Sequence, residues 1–147
     1  MKRAMLSLLM LLPLAGCEQT SSPSKQETWP LVKQCNLHQQ ACTAEFHGQR
    51  ITLDISPKPI PVAKPLTVKV DLGSLSAKSV EIDISGHNMY MGYNRVPLKP
   101  VDAHHWQGTT MLAFCTRDKM EWYVTLIIDQ GKTHQMLVPF YLETHSR

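Results

Sequence analysis

Past residue 17 the chain has no apolar run approaching the roughly 20 residues of a membrane-crossing helix, so no transmembrane helix is expected there. It has no block of Lys and Arg interleaved with aromatics, the footprint of nucleic-acid or polybasic-lipid binding. A Gly-x-Ser-x-Gly turn, a phosphate-cradling glycine loop and a His-Glu-x-x-His pair are all missing. So is the Cys-x-x-Cys of a thiol–disulfide oxidoreductase, and no histidine marks itself as the base for a cysteine nucleophile. The acidic residues are scattered, without calcium-loop spacing, and no close Cys/His pairs show zinc-finger or ribbon spacing. Neither an internal repeat nor a sustained helical period occurs. The chain reads as a non-enzyme that does not bind nucleic acid.

What is present begins at the N-terminus. Lys2 and Arg3 precede Ala4 to Leu14, apolar except for Ser7 and Pro13, and Leu14-Ala15-Gly16 leads directly into Cys17. A charged start, an apolar run of about 10 residues and small residues at the end form a secretory signal. The ending Leu14-Ala15-Gly16-Cys17 closely resembles the lipobox of bacterial lipoproteins. That resemblance implies removal of residues 1–16 and acylation of Cys17, which becomes the first mature residue. At about 0.8 kcal/mol per buried methylene, several acyl chains would hold the protein firmly to a membrane. The expected location is the bacterial cell envelope, on the periplasmic face of the inner or outer membrane. Without Lys2 and Arg3 the formal charge of +3 falls to +1, so the mature chain is nearly neutral.

Residues 17–34 are rich in Ser, Thr, Gln, Lys and Pro and read as a flexible tether, with Trp29-Pro30-Leu31-Val32 able to dock at the start of the domain. Residues 35–147 suffice for one domain with its own core. A hairpin is expected from Thr43 to Ser56, followed by an extended crossover where Pro57, Pro59 and Pro61 exclude regular pairing. Period-2 alternation marks strands at Leu66–Leu72, Val80–Ile84, Trp122–Ile128 and Met136–Leu142. Asn94–Leu98 is a short candidate. His105–Phe114 is another, with Trp106, Thr110, Leu112 and Phe114 on one side and Met111 on the other. The fold class is all-β, an antiparallel immunoglobulin-like sandwich of seven or eight strands. A Greek-key barrel has the same strand count.

With Cys17 assigned to lipid, Cys35, Cys42 and Cys115 remain, and an oxidising compartment favours pairing two of them. Cys35 and Cys42 would close a short loop, a constraint of roughly 2–3 kcal/mol at the domain edge. Cys115 is then the odd thiol. Mature residues 17–88 contain no methionine, whereas Met89, Met91, Met111, Met120 and Met136 fall within 48 residues. Met111 and Met136 are explained by core packing, where methionine is a good filler. Met89 and Met91 lie among Gly86, Asn88 and Gly92, which argues for a loop or strand edge. Thioethers and a thiol are the soft ligands that select Cu(I). The expected site is Met89, Met91 and Cys115, with His87 as fourth ligand and Met120 in reserve.

The Cys-x6-Cys spacing, the proline-rich crossover, the segment from Gly86 to Asn94, and Leu112-Ala113-Phe114-Cys115 with Met120-Glu121-Trp122 look like small exported proteobacterial proteins. They are broadly similar to YtkA-like and FixH-like β-sandwich domains. The resemblance implies copper handling, with a role in cytochrome oxidase assembly, although those FixH-like proteins carry a transmembrane helix where this chain has its lipobox. Two functions are therefore expected in alternative. One is a membrane-tethered domain that binds or delivers copper. The other is a metal-free module whose residues 90–93 contact another envelope protein.

Overall fold

The computed structural model describes residues 25–145. The expected signal peptide and Cys17 lie outside the described residues. Ten strands succeed one another: β1 Lys25–Thr28, β2 Cys42–Phe46, β3 Gln49–Ser56, β4 Pro65–Asp71, β5 Ser79–Gly86, β6 Arg95–Pro97, β7 Lys99–Pro100, β8 His105–Met111, β9 Lys119–Gly131 and β10 His134–His145. They form two five-stranded sheets, β1-β10-β9-β5-β6 and β2-β3-β4-β8-β7. Every pairing is antiparallel except β1 with β10, which is parallel. The protein is all-β among the described residues.

Alternation creates the core. Leu66, Val68 and Val70 of β4, Val80, Ile82 and Ile84 of β5, Trp122, Val124 and Leu126 of β9, and Met136, Val138 and Phe140 of β10 are all buried in one cluster. Burying each of these side chains contributes on the order of 1.5–3 kcal/mol before conformational entropy is counted. Near β6 the chain passes from one sheet to the other. Leu98 N–H donates to Val80 O at 2.8 Å, and Lys99 then pairs with Gln107.

Four sequence expectations change. The flexible tether expected over residues 17–34 does not hold for residues 25–34, because the sheet begins at Lys25 rather than Cys35. β1 pairs with β10 from Lys25↔His134 to Thr28↔Leu137, Trp29 is buried, and Val32 bridges to Phe140. The strand expected to reach Phe114 ends at Met111. Pro65↔Met111 is its last pair, and beyond it Leu112 O accepts from Ala63 N–H at 2.8 Å. Phe114 is consequently 63% exposed, not inward. Met111 is 50% exposed and is not a core residue. The added β1 and the split at Leu98 raise the strand count above seven or eight.

The two sheet ends differ in chemistry. Cys35 and Cys42 are bridged, with Cα atoms 5.7 Å apart, at the end where β9 begins and β10 finishes. There His38 accepts Ile60 N–H at Nδ1 (2.9 Å), so its Nε2–H donates to Glu143 O at 2.6 Å. One imidazole thus ties the proline crossover to β10.

At the opposite end Asp102 caps a turn. Its carboxylate accepts the backbone N–H groups of His104 and His105 and sits 2.8 Å from His105 Nδ1. The His104 N–H and the His105 side chain hold Asp102 down to about 2, and the Asp102 carboxylate raises His105 above 6.5. The depressed carboxylate stabilises the fold above its unfolded value and loses that contribution as pH falls toward about 2. The raised imidazole contributes fully below 6.5 and loses its contribution as pH rises through the folded value. An NMR titration is therefore expected to show His105 titrating above 6.5, and Asp102→Asn to lower it toward 6.5, with Asp71 keeping part of the rise. An unmoved His105 in the variant would discard the pairing.

Candidate metal centre

Loop residues 87–94 connect β5 to β6, and residues 112–118 connect β8 to β9, at the end of the molecule bearing the disulfide. Two asparagines fix the first loop to both sheets. Asn88 Oδ1 accepts Glu121 N–H at 3.0 Å and its Nδ2 donates to Lys119 O at 3.2 Å. Arg117 Nη1 donates to Asn88 O at 3.3 Å. At the other end Asn94 Nδ2 donates to Met111 O at 2.9 Å, and its Oδ1 accepts from Thr110 Oγ1 at 3.3 Å. The loop is thus pinned to the start of β9 and the end of β8. Sequence reasoning missed both asparagines as site residues. The available signal was an amide side chain at each loop boundary, where Asn pairs well with free backbone groups.

Gly86 makes the turn possible. A Cβ there would collide with Met89 O and lie 3.0 Å from Met91 Cγ. Gly86→Ala is therefore expected to shift the loop and separate the residues it brings together. Binding at this site should weaken about tenfold or more, as when a supporting group is removed from a metal site. Unchanged metal affinity in a folded Gly86→Ala protein, checked by circular dichroism, would refute this.

Between the two pinned ends, Cys115 Sγ–H donates to Met89 Sδ at 3.6 Å. The same Sγ accepts Arg117 N–H at 3.5 Å, which positions the thiol. Cys115 is 7% exposed and Met89 is 42% exposed, so one sulfur is sheltered while the other faces solvent. A metal–sulfur bond of roughly 2.3 Å would set two sulfurs about 4.6 Å apart on a linear two-coordinate ion, so this pair would have to open by about 1 Å to hold one without a third ligand. A thiol and a thioether are the donor types that suit a soft monovalent ion.

The other expected ligands are placed differently. His87 continues the outward row of Ser85: its N–H donates to Glu121 O at 2.7 Å, and its ring packs on Tyr123 with centroids 4.5 Å apart. Its Nε2 lies 3.4 Å from Tyr123 OH. The imidazole is thus engaged on the outer sheet face, whereas Met120 is buried on the inner one. Met120 pairs with Thr144 in the ladder and belongs to the core. Met91 is half-buried, packed against that core and over Gly86. Of the five expected ligands, the structure brings Met89 and Cys115 into direct contact.

On the outer face beyond His87, Lys119 Nζ is 2.8 Å from Glu143, and the single Tyr141 O–H proton is shared between Glu121 at 2.9 Å and Glu143 at 3.1 Å. Lys119 holds Glu143 below the usual carboxylate range, and Glu143 raises Lys119 in return. Burial and the neighbouring carboxylates push the Tyr141 hydroxyl well above its ordinary value. These groups are satisfied by one another and include no soft ligand. Among the described residues no three His, Cys, Asp or Glu side chains are arranged to hold a metal ion. Compared with protein-family models, with curated proteins and with solved structures, the chain matches none.

Proposed function

We propose that this protein is a lipid-anchored component of the bacterial cell envelope that binds Cu(I) through Met89 and Cys115 and passes it on. The observation that supports this is the 3.6 Å contact between a thioether and the free thiol, brought together from positions 26 residues apart. Soft sulfur donors select Cu(I) over Zn(II) and Ca(II), and a thioether binds without losing a proton. Cys115 supplies the anionic ligand, and its proton leaves when metal binds. The resemblance to YtkA-like and FixH-like domains points the same way, toward copper handling and oxidase assembly.

The finer reading of the fold is immunoglobulin-like. Strand order β3-β4-β8-β7 facing β10-β9-β5 corresponds to the A-B-E-D and G-F-C sheets of that sandwich. The anchor rests on Leu14-Ala15-Gly16-Cys17, and an acyl mass on Cys17 is its check.

The deciding experiment is a Cu(I) competition titration of the full protein under reducing conditions, with Zn(II) alongside. One equivalent of Cu(I) and no comparable Zn(II) binding is expected. Failure to bind Cu(I) would favour the metal-free interaction module, for which the exposed Tyr90 and Tyr93 are the contact residues.

A further inference from the structure

The methionines of the described residues divide by exposure. Met120 and Met136 are 2% and 1% exposed, Met91 is half-buried against the core, and Met89 and Met111 are 42% and 50% exposed. A thioether is oxidised wherever a two-electron oxidant reaches its sulfur, and no proton has to leave first. A thiol, in contrast, reacts as its thiolate. Cys115 is 7% exposed, and its Sγ is engaged twice, donating to Met89 Sδ and accepting Arg117 N–H. An oxidant arriving from solvent therefore meets the thioether of this pair before the thiol.

We propose that Met89 is an oxidation site, and that its conversion to the sulfoxide by a peroxide switches the sulfur pair off. The Met89 sulfur lone pair attacks one oxygen of hydrogen peroxide, and the O–O bond breaks as the S–O bond forms. The departing hydroxide takes the proton left on the transferred oxygen and leaves as water. The sulfur has lost two electrons, and the peroxide has gained them. A polar oxygen now stands where a soft donor stood, so Cu(I) keeps only one of its two sulfurs. The oxygen is also a stronger acceptor than a thioether, which leaves the Cys115 S–H with a partner. Return is a reduction: two thiols join in a disulfide, the oxygen departs as water, and the thioether is restored, the reaction of methionine sulfoxide reductases. The oxidation site stands on exposure and on the sulfur contact, whereas its effect on metal rests on the copper reading.

The test treats the full protein carrying Met111→Leu with hydrogen peroxide, the substitution leaving Met89 as the most exposed methionine among the described residues. Peptide mass mapping is expected to find one added oxygen on Met89, with Met120 and Met136 unmodified and Cys115 still reactive toward a thiol reagent after unfolding. Oxygen on Cys115, Met91 or Met120 ahead of Met89 overturns the site. Cu(I) competition before and after treatment is expected to show a loss on the order of 100-fold, as for removal of a metal-site residue. A Met89→Leu protein is expected to bind with the same low affinity before and after peroxide. Methionine sulfoxide reductase with dithiothreitol is expected to restore the untreated affinity. Unchanged affinity after Met89 is oxidised overturns the switch, as does a loss that persists once the map shows Met89 reduced. Protein that binds no Cu(I) before treatment overturns the copper reading and the switch with it, while the mass map still decides whether Met89 is the oxidised residue.

Discussion

Replacing Cys115 with Ser, or Met89 with Leu, is expected to lower the Cu(I) affinity of the protein on the order of 100-fold or more, the upper range for losing even a supporting residue of a metal site. Cys115→Ser exchanges the soft thiolate for a hydroxyl that Cu(I) binds poorly. Met89→Leu keeps the volume and removes only the sulfur. The two changes should not add, because both act on one ion held by two neighbouring atoms. Competition against a Cu(I) chelator reads the effect, and circular dichroism confirms that each variant is folded. Cys115 is nearly buried, so Cys115→Ser also perturbs packing. Met89→Leu, at a half-exposed position, separates the two causes. Parent-like affinity in both variants would remove the sulfur pair from any metal site. Met120→Leu provides a contrast: Met120 lies in the core, and its replacement should leave copper binding close to parental.

Much of the fold can be read from the chain because one-sided burial imposes a period of two. β4, β5, β9 and β10 each alternate over at least three inward residues, and the structure buries those residues. β1 has no such pattern. Lys-Gln-Glu-Thr is polar throughout, and its strand form comes from pairing with the β10 backbone and from Trp29 just after it. Phe114 falls inward only if the β8 period is carried three residues too far. Partners other than the sheet take over there: Ala63 bonds Leu112 O, and Asn94 bonds Met111 O. At the candidate centre, ligand softness is visible as residue type, but the meeting of Met89 with Cys115 depends on two loops from different parts of the chain. The outward place of His87 is present in the alternation of Val80, Ile82 and Ile84. Residues 85 and 87 belong to the other face, and the ring follows that geometry onto Tyr123.

A protein beginning at Cys35 is expected to be far less stable than one beginning at Lys25. Trp29 is among the largest fully enclosed side chains, packs on Phe46 with ring centroids 5.8 Å apart, and donates Nε1–H to Glu27 at 3.0 Å. Trp29→Ala alone should cost about 3–5 kcal/mol, as for other buried large aromatics. Truncation also removes the β1 ladder and the paired bonds Val32 N–H to Pro139 O (3.0 Å) and Tyr141 N–H to Val32 O (2.9 Å). Against a typical total of about 5–15 kcal/mol, that loss leaves a marginal domain. Urea unfolding of the two lengths and of Trp29→Ala measures it. Leu31→Ala serves as a control, because Leu31 is exposed and should matter little. Stabilities within about 1 kcal/mol for the two lengths would return residues 25–34 to the tether, since a loss that small is no more than an average point mutation. The consequence reaches the proposed copper site. β10 lies between β1 and β9, and β9 begins with Lys119 and Met120 directly after the Cys115 loop. Uncovering β10 loosens the strand that positions Asn88 through Glu121 N–H, and with it the separation of the two sulfurs.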